Sequence, residues 1–302
     1  GVKYVTGKDR VLVGFRERAG PYITDMRRCP VLVPPLDALL GELADVIAGM
    51  TIRAKIPQIE AAVADGVTAL VFRVLETPAD ADLVAFRDFG ARHGIDVYLQ
   101  PGGPGTVAPL GEARTLCYRL EAFGLTLSFL PTDFVQVNAA INTELVATAV
   151  RYAALEPKDR VLDLYCGLGN FSLPLAQRAG ELLGVEGEAG LVARAVRNAA
   201  QNGIANARFV TADLMQSDWS FYREPWDVVM LDPPRTGAEA PVAELARASP
   251  RRIVYVSCHP ATLARDAQVL VHEQGYTLKV ARVFDMFPHT HHIEAFALFE
   301  RT

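Results

Sequence analysis

The chain has 302 residues, half of them hydrophobic and 22% charged, with a formal net charge of −5 at pH 7. This balance excludes a disordered chain and a generally basic nucleic-acid coat, although a few well-placed cations are enough to grip phosphates. The length allows two domains of ordinary size. No apolar run approaches the roughly 20 residues that a membrane-spanning helix needs. The opening GVKYVTGKDR has neither an apolar signal core nor an initiator Met, and reads as the processed or trimmed end of a soluble cytoplasmic protein. Cys29, Cys117, Cys166 and Cys258 lie far apart with no CxxC pair, so no disulfide framework is expected and a reducing compartment is the default.

Residues 1–130 read as a smaller α/β domain. RVLVGFRER (10–18) is predicted as a strand, PPLDALLGELADVIAGM (34–50) as an amphipathic helix and TALVFRVLE (68–76) as a second strand. ADLVAFRDFGARHG (81–94) follows as a helix, and IDVYLQPGG (95–103) as a strand ending in a Gly/Pro turn. Arg16, Arg18, Arg27 and Arg28 cluster near the start, and 25 of the 30 basic residues are arginine, whose planar fork suits bidentate phosphate contacts. A solvated arginine-rich face accounts for the same pattern. The segment LTLSFLPTDFVQVNAAINTELV (125–146) joins this half to the next.

Residues 131–302 alternate short apolar strands with helical patterns. VLDLYC (161–166), ELLGVE (181–186), ARFVTAD (207–213), DVVMLD (227–232) and RIVYVSC (252–258) are predicted strands. Helices are expected over FSLPLAQRA (171–179), from the second strand to about Asn202, and after Cys258. YTLKVARVFD (276–285) and EAFALFER (294–301) close the chain as a hairpin or edge strands. Such alternation predicts a mostly parallel sheet with helices on both faces.

Two glycines, Gly167 and Gly169, directly follow the first of these strands, where a backbone without Cβ atoms can turn tightly and approach a ligand. Glu186 ends the next strand, placed to accept hydrogen bonds from ribose hydroxyls, and Asp213 leaves the third, placed to meet an adenine amino group. The third glycine of a dinucleotide fingerprint is missing, since Ser172 stands there, which favours S-adenosylmethionine over a nicotinamide cofactor. Helix-capping acids at strand ends are the plainer reading of Glu186 and Asp213.

Asp232 opens the rigid Asp-Pro-Pro-Arg loop after an apolar strand, and Cys258 leaves the last of the parallel strands. Both fall on the sheet edge that carries Gly167 and Glu186, where open α/β sheets bind ligands. A thiol there reads as a nucleophile, with His259 or Arg265 as the positive neighbour that would favour its thiolate. Cys166, inside a strand, reads as a small buried hydrophobe. FPHTHHIEAFALF (287–299) sets three histidines beside an acid, but its spacing matches no zinc motif, and Glu294 is instead placed to act as a general base.

Taken together, FVQVN (134–138), LDLYCGLGNFSLPLA (162–176), LDPPRTG (231–237), YVSCHPATLARD (255–266) and MFPHTHHIE (286–294) resemble the bacterial RNA uracil-C5 methyltransferases. The resemblance implies a Rossmann-like methyltransferase domain over 131–302 behind an RNA-positioning α/β domain over 1–130. It implies S-adenosylmethionine contacts from Gln136, Tyr165, Asn170, Glu186, Asp213 and Asp232, with Asp232 also facing the target base. It makes Cys258 the nucleophile at uracil C6 and Glu294 the base for the C5 proton, and it makes Phe134 a stacking surface for RNA.

VGFRERAGPYITDMRRCPVL (13–32) is similar to the 23S ribosomal RNA branch of that family, in which the cysteine of the Cys-Pro pair is the last of four [4Fe–4S] ligands. Cys29 matches it. The other three ligands and a small RNA-binding β-barrel, the TRAM domain, precede this region in the family, so no cluster is expected in this chain. His259 departs from the family's usual Asn. A monomer acting on 23S ribosomal RNA is the expected state. The alternatives are a transfer-RNA uracil methyltransferase, or a non-catalytic RNA-binding or assembly factor on the same fold.

Overall fold

The computed structural model describes residues 1–18, 20–216 and 220–301. By their contacts they form two units, Gly1–Cys117 with Phe129–Asp133, and Tyr118–Ser128 with Phe134–Thr302.

In the first unit β1 (Val2–Val5) and β2 (Arg10–Val13) form an antiparallel pair, followed by α1 (Leu36–Ala48). A four-stranded sheet, in the order β3-β4-β5-β6, is built from β3 (Gln58–Ala64), β4 (Val67–Arg73), β5 (Ile95–Gln100) and β6 (Ala108–Pro109). Helix α2 (Asp80–His93) makes the crossover between the parallel pair β4 and β5. Leu39, Leu43 and Ile47 of α1 share one apolar cluster with Phe72, Phe86 and Phe89, and Cys29 is buried in it. The strand expected over 10–18 stops at Val13, because Gly14 passes against another stretch of backbone. A Cβ at Gly14 would lie 2.0 Å from the Thr24 carbonyl oxygen. Beyond it, only Arg16 pairs, in a single bridge with Ile23.

Strands β7 (Leu116–Leu120) and β8 (Leu125–Phe129) pair with each other. Residues 118–128, placed in the first half by the sequence reading, are tied to the second unit by two asparagines of α5 and its C-terminus. Asn198 accepts from Ser128 N–H at 2.9 Å and donates to the Leu168 carbonyl at 3.0 Å. Asn202 both accepts from and donates to the backbone of Thr126.

The second unit continues with α3 (Ala139–Ala153), β9 (Arg160–Leu164), α4 (Ser172–Ala176), β10 (Glu181–Glu186), α5 (Ala189–Gln201), β11 (Ala207–Thr211), β12 (Val228–Leu231), α6 (Glu239–Ala248), β13 (Arg252–Ser257), α7 (Pro260–His272), β14 (Tyr276–Phe284) and β15 (Glu294–Arg301). The sheet runs β11-β10-β9-β12-β13-β15-β14. Its first five strands are parallel, and β15 enters antiparallel between β13 and β14. Leu162, Leu164, Val229, Leu231, Ile253 and Tyr255 alternate onto one face and pack with Leu245 of α6 and Leu270 of α7. The intervening Val161, Met230, Val254 and Val256 are buried too, as parallel strands covered on both faces require. Helix α3 lay unread in the joining segment, although Asn138 caps it by accepting from Ile141 N–H and Leu145, Ala149 and Ala153 line its buried side. Among the described residues no helix is long and apolar enough to cross a membrane.

Asn198, 1% exposed, satisfies groups of the hairpin and of the glycine turn at once. Replacing it with Ala leaves buried donors and acceptors without partners. Asn198→Ala is expected to cost about 2–4 kcal/mol, measured as a lower urea midpoint with an unchanged slope.

Candidate active site

The strand order reverses at β9, which has β10 on one side and β12 on the other. Ligands of open α/β sheets bind outside the strand C-termini at such a point. Here Tyr165 leaves β9 with φ 64°, a left-handed turn at a bulky residue, and Gly167 and Gly169 continue it with φ 55° and 103°. Gly167 N–H donates to Glu186 at 3.1 Å, and the other Glu186 oxygen accepts from Glu188 N–H at 3.0 Å. An ionised carboxylate has about four acceptor positions, so Glu186 braces the turn and still has capacity toward a ligand.

A cavity of about 480 Å³ opens over this edge. It is lined by Phe134, Gln136, Tyr165, Gly167, Asn170, Glu186, Asp232, Cys258 and Glu294, which brings together most of the residues expected at the site. Tyr118, Pro233, Pro234 and Arg235 complete the wall relevant to the chemistry. Gln136 Oε1 and the Tyr165 hydroxyl are buried there without a protein partner, as groups kept for a ligand would be. Burial, with Asp266, Glu186 and Asp213 nearby, pushes the Tyr165 hydroxyl up to about 12, so it serves as a donor at neutral pH. Asn170 is largely engaged already, exchanging hydrogen bonds with Asn142 and accepting from the Tyr118 hydroxyl.

Asp213 does not line the cavity. It is exposed, and its carboxylate accepts from Met215 N–H at 3.0 Å and Gln216 Nε2 at 3.2 Å, which orders the loop after β11. Gly169 shapes the turn without lining the wall. Phe134 is 72% exposed at the cavity.

The register of β13 and β15 makes the decisive juxtaposition. Its last pair is Ser257 with Ala295, so one step further along the ladder Cys258 stands opposite Glu294. Asp232 leaves β12 alongside them, its N–H donating to the Leu164 carbonyl at 3.4 Å. Burial pushes the Glu294 carboxyl up to about 7. Burial, then the negative charges of Glu294 and Asp163, hold Asp232 well above the usual carboxylate range. The Cys258 thiol is raised by burial and by Glu294, and Arg235 works in the opposite direction.

That cation was missed. His259 is spent as the cap of α7, its Nδ1 accepting from Thr262 N–H at 3.4 Å. Arg265 is committed to Asp266 and Glu239. The signal for Arg235 was present in its place directly after the rigid Pro-Pro pair. The buried Cys166 thiol is raised far above its ordinary value by burial, in line with a packing role.

Among the described residues no group of three or more His, Cys, Asp or Glu side chains is arranged to hold a metal. His291 and His292 stack on one another at 4.0 Å between ring centres, and His292 lies 3.4 Å from Arg235. Of the expected RNA-contacting arginines, Arg27 is paired with Asp45 at 2.8 Å and Arg28 lies 3.8 Å from Asp37.

A family model described as tRNA (Uracil-5-)-methyltransferase matches residues 124–302. Relatives named 23S rRNA (uracil(1939)-C(5))-methyltransferase RlmD are 50% identical over 305 residues in Methylococcus capsulatus and 49% identical over 308 residues in Bordetella avium. The chain belongs to the RNA uracil-C5 methyltransferase family. It is covered almost end to end, 100% and 99%, and spans 69% and 65% of those two relatives. A solved structure of the Pyrococcus abyssi tRNA (uracil-54, C5)-methyltransferase, in complex with S-adenosyl-L-homocysteine, matches 97% of this chain and 73% of its own. Its TM-score is 0.73 at 24% identity, which supports the fold of this methyltransferase family member.

Glu294 yields a stability test with a defined sign. A carboxyl raised from 4.5 to about 7 by folding binds its proton longer in the folded state, so its contribution is present below about pH 4.5 and is lost as pH rises to about 7. Glu294→Gln carries no charge to bury. Above about pH 7 it is expected to be more stable than wild type by on the order of 1–3 kcal/mol, and the gain should fade toward about pH 5, as read by urea unfolding.

Proposed function

We propose that this chain methylates C5 of a uridine in 23S ribosomal RNA, with S-adenosylmethionine as methyl donor and a covalent adduct between Cys258 and uracil C6. The observation that carries the reading is the antiparallel register that sets Cys258 opposite Glu294 on the wall of a cavity of about 480 Å³. The names of the 23S relatives support ribosomal RNA over transfer RNA.

The adenosyl ligand would be held by Glu186 and the Gly167 turn, with Tyr165, Gln136 and Asp232 around it; Asp213 would act at a distance, through the loop it orders. When bound, it supplies an electrophilic methyl group on a sulfonium. Uracil C5 is too weakly nucleophilic to take that methyl unaided. Addition of the Cys258 sulfur to C6 delocalises negative charge onto C5 and makes the carbon reactive. After methylation the C5 proton passes to Glu294, and the C6–S bond breaks with its electron pair leaving on sulfur as the thiolate, so that 5-methyluridine remains in the RNA. A carboxyl near 7 is partly ionised at neutral pH and suits that transfer. The target base must leave its stack to enter, and the exposed Phe134 ring is placed to hold a neighbouring base.

The test is trapping with S-adenosylmethionine and RNA containing 5-fluorouridine, using 23S fragments and transfer RNA side by side. Fluorine cannot leave C5 as a proton, so the wild-type protein should stall as a covalent complex carrying a methylated base. Cys258→Ala should give none, and Glu294→Gln should lose at least about 100-fold in turnover of ordinary RNA. No adduct in the wild type, despite binding of the cofactor, would sink the covalent route.

Arg16, Arg18, Arg27 and Arg28 are the proposed phosphate contacts of the first unit, and Arg27 and Arg28 also face Asp45 and Asp37 in exposed ion pairs. The double variant Arg16→Glu, Arg18→Glu should weaken RNA binding and lower the slope of log affinity against log salt by about 1–2. Affinity for the cofactor should be unchanged. RNA affinity and salt slope unchanged from wild type would overturn the assignment.

A further inference from the structure

Helix α7 begins two residues after Cys258, and its first two turns hold the loop that follows Asp232. Thr262 Oγ1 donates to the Arg235 carbonyl at 3.3 Å, Arg265 Nη2 donates to the Thr236 carbonyl at 3.0 Å, and Asp266 accepts from Ala238 N–H at 2.7 Å. Asp266 is 1% exposed, and it also accepts from the Tyr255 hydroxyl of β13 at 2.6 Å and from Arg265 at 2.7 Å. Between Arg235 and Ala238, Gly237 makes no such bond, and it makes the approach possible. It has φ 80°, and a Cβ there would lie 2.6 Å from Arg265 Nη2, 2.8 Å from Asp266 and 3.0 Å from Thr262. All three clasping side chains therefore meet at the same glycine.

We propose that Thr262, Arg265 and Asp266 are positioning residues, which hold the Arg235–Ala238 backbone against α7 and thereby keep Arg235 on the wall of the cavity that Cys258 also lines. The proposal rests on the reading of Cys258 as nucleophile and deepens it. The helix that starts two residues after the nucleophile clasps the loop that bears its cation, so the two cannot separate without breaking these bonds, those of Asp266 being buried. The charged and titratable groups around the thiol are Glu294 on β15, Asp232 and Arg235 on the loop, and His259 beside it. His292 lies 3.4 Å from Arg235. Arg235 is the one among them that favours the thiolate.

The test is the pH dependence of Cys258 alkylation by iodoacetamide, located by peptide mass, alongside steady-state RNA methylation. Gly237→Ala pushes the clasp apart. Thr262→Val removes the hydroxyl, whose one proton is shared between the Arg235 carbonyl at 3.3 Å and the His259 carbonyl at 2.9 Å, without changing shape, and Thr262→Ser should restore it. Opening the clasp is expected to move the alkylation midpoint to higher pH, slowing capture by about tenfold at a fixed pH below the midpoint for Gly237→Ala and by about threefold for Thr262→Val. kcat should fall in parallel, with KM for RNA and affinity for S-adenosylmethionine within about twofold of wild type.

In an Arg235→Met background, Gly237→Ala should add no further shift, which a general loosening of the fold would not reproduce. An unmoved profile in folded Gly237→Ala overturns the proposal; if that variant does not fold, an unmoved profile in Thr262→Val does so. A full additional shift in the Arg235→Met background overturns it as well. The shift without RNA methylation by the wild type would refute the proposed function and leave the clasp standing. Methylation by the wild type with an unmoved profile would refute the clasp alone.

Discussion

The antiparallel hydrogen-bond ladder between β13 and β15 is the constraint on which the candidate site depends. Parallel strands all deliver their C-termini to one edge, so β9, β10, β12 and β13 bring Tyr165, Glu186, Asp232 and Cys258 there without further design. Glu294 begins its strand and reaches the same edge only because β15 runs the other way. In a strand pair the register is fixed by the faces that must be packed, since a slip of one residue would exchange the face of Phe296 and Leu298 with that of Ala297 and Phe299, both buried against different neighbours. Packing of the apolar face therefore sets the distance between a thiol and a carboxyl whose roles are chemical.

The site concentrates carboxyl groups where burial disfavours their charge. Asp163 and Glu294 are both pushed up to about 7, and Asp232 lies well above the usual range. Each would be more comfortable in water, and the surrounding fold supplies the stability that keeps them enclosed. Ser172 offsets part of this by donating to Asp163, and Arg235 offers the nearby thiol a positive charge. The cavity thus holds in Glu294 a carboxyl poised near neutrality, the condition in which it both takes and returns a proton readily.

Much of this was legible in the sequence. The strand limits of ELLGVE and EAFALFER coincide with β10 and β15, because uninterrupted apolar runs bounded by turn residues leave little freedom. Gly167, Glu186, Asp232 and Cys258 follow from position alone once the strands are parallel. The hairpin β7–β8 and helix α3 escaped the reading, since their short or small-residue patterns gain stability from tertiary partners such as Asn198 and Asn202. Arg265 was expected beside the thiol, but it turns toward Asp266 on its own helix while Arg235 lines the cavity with Cys258, because closeness along the chain is a poor guide to closeness in space.

By itself the sequence determined the alternation of strand and helix, the turns that glycine permits, and the chemical repertoire at each strand end. These are local matters, governed by backbone sterics and hydrophobic period. The tertiary structure decided which groups meet. It set Cys258 opposite Glu294, took Asp213 away from the cavity wall, engaged Arg27 and Arg28 in ion pairs, and folded the Arg235 loop onto α7. Such meetings depend on strand register and on buried hydrogen bonds between residues far apart in the chain, and no local period encodes their partner.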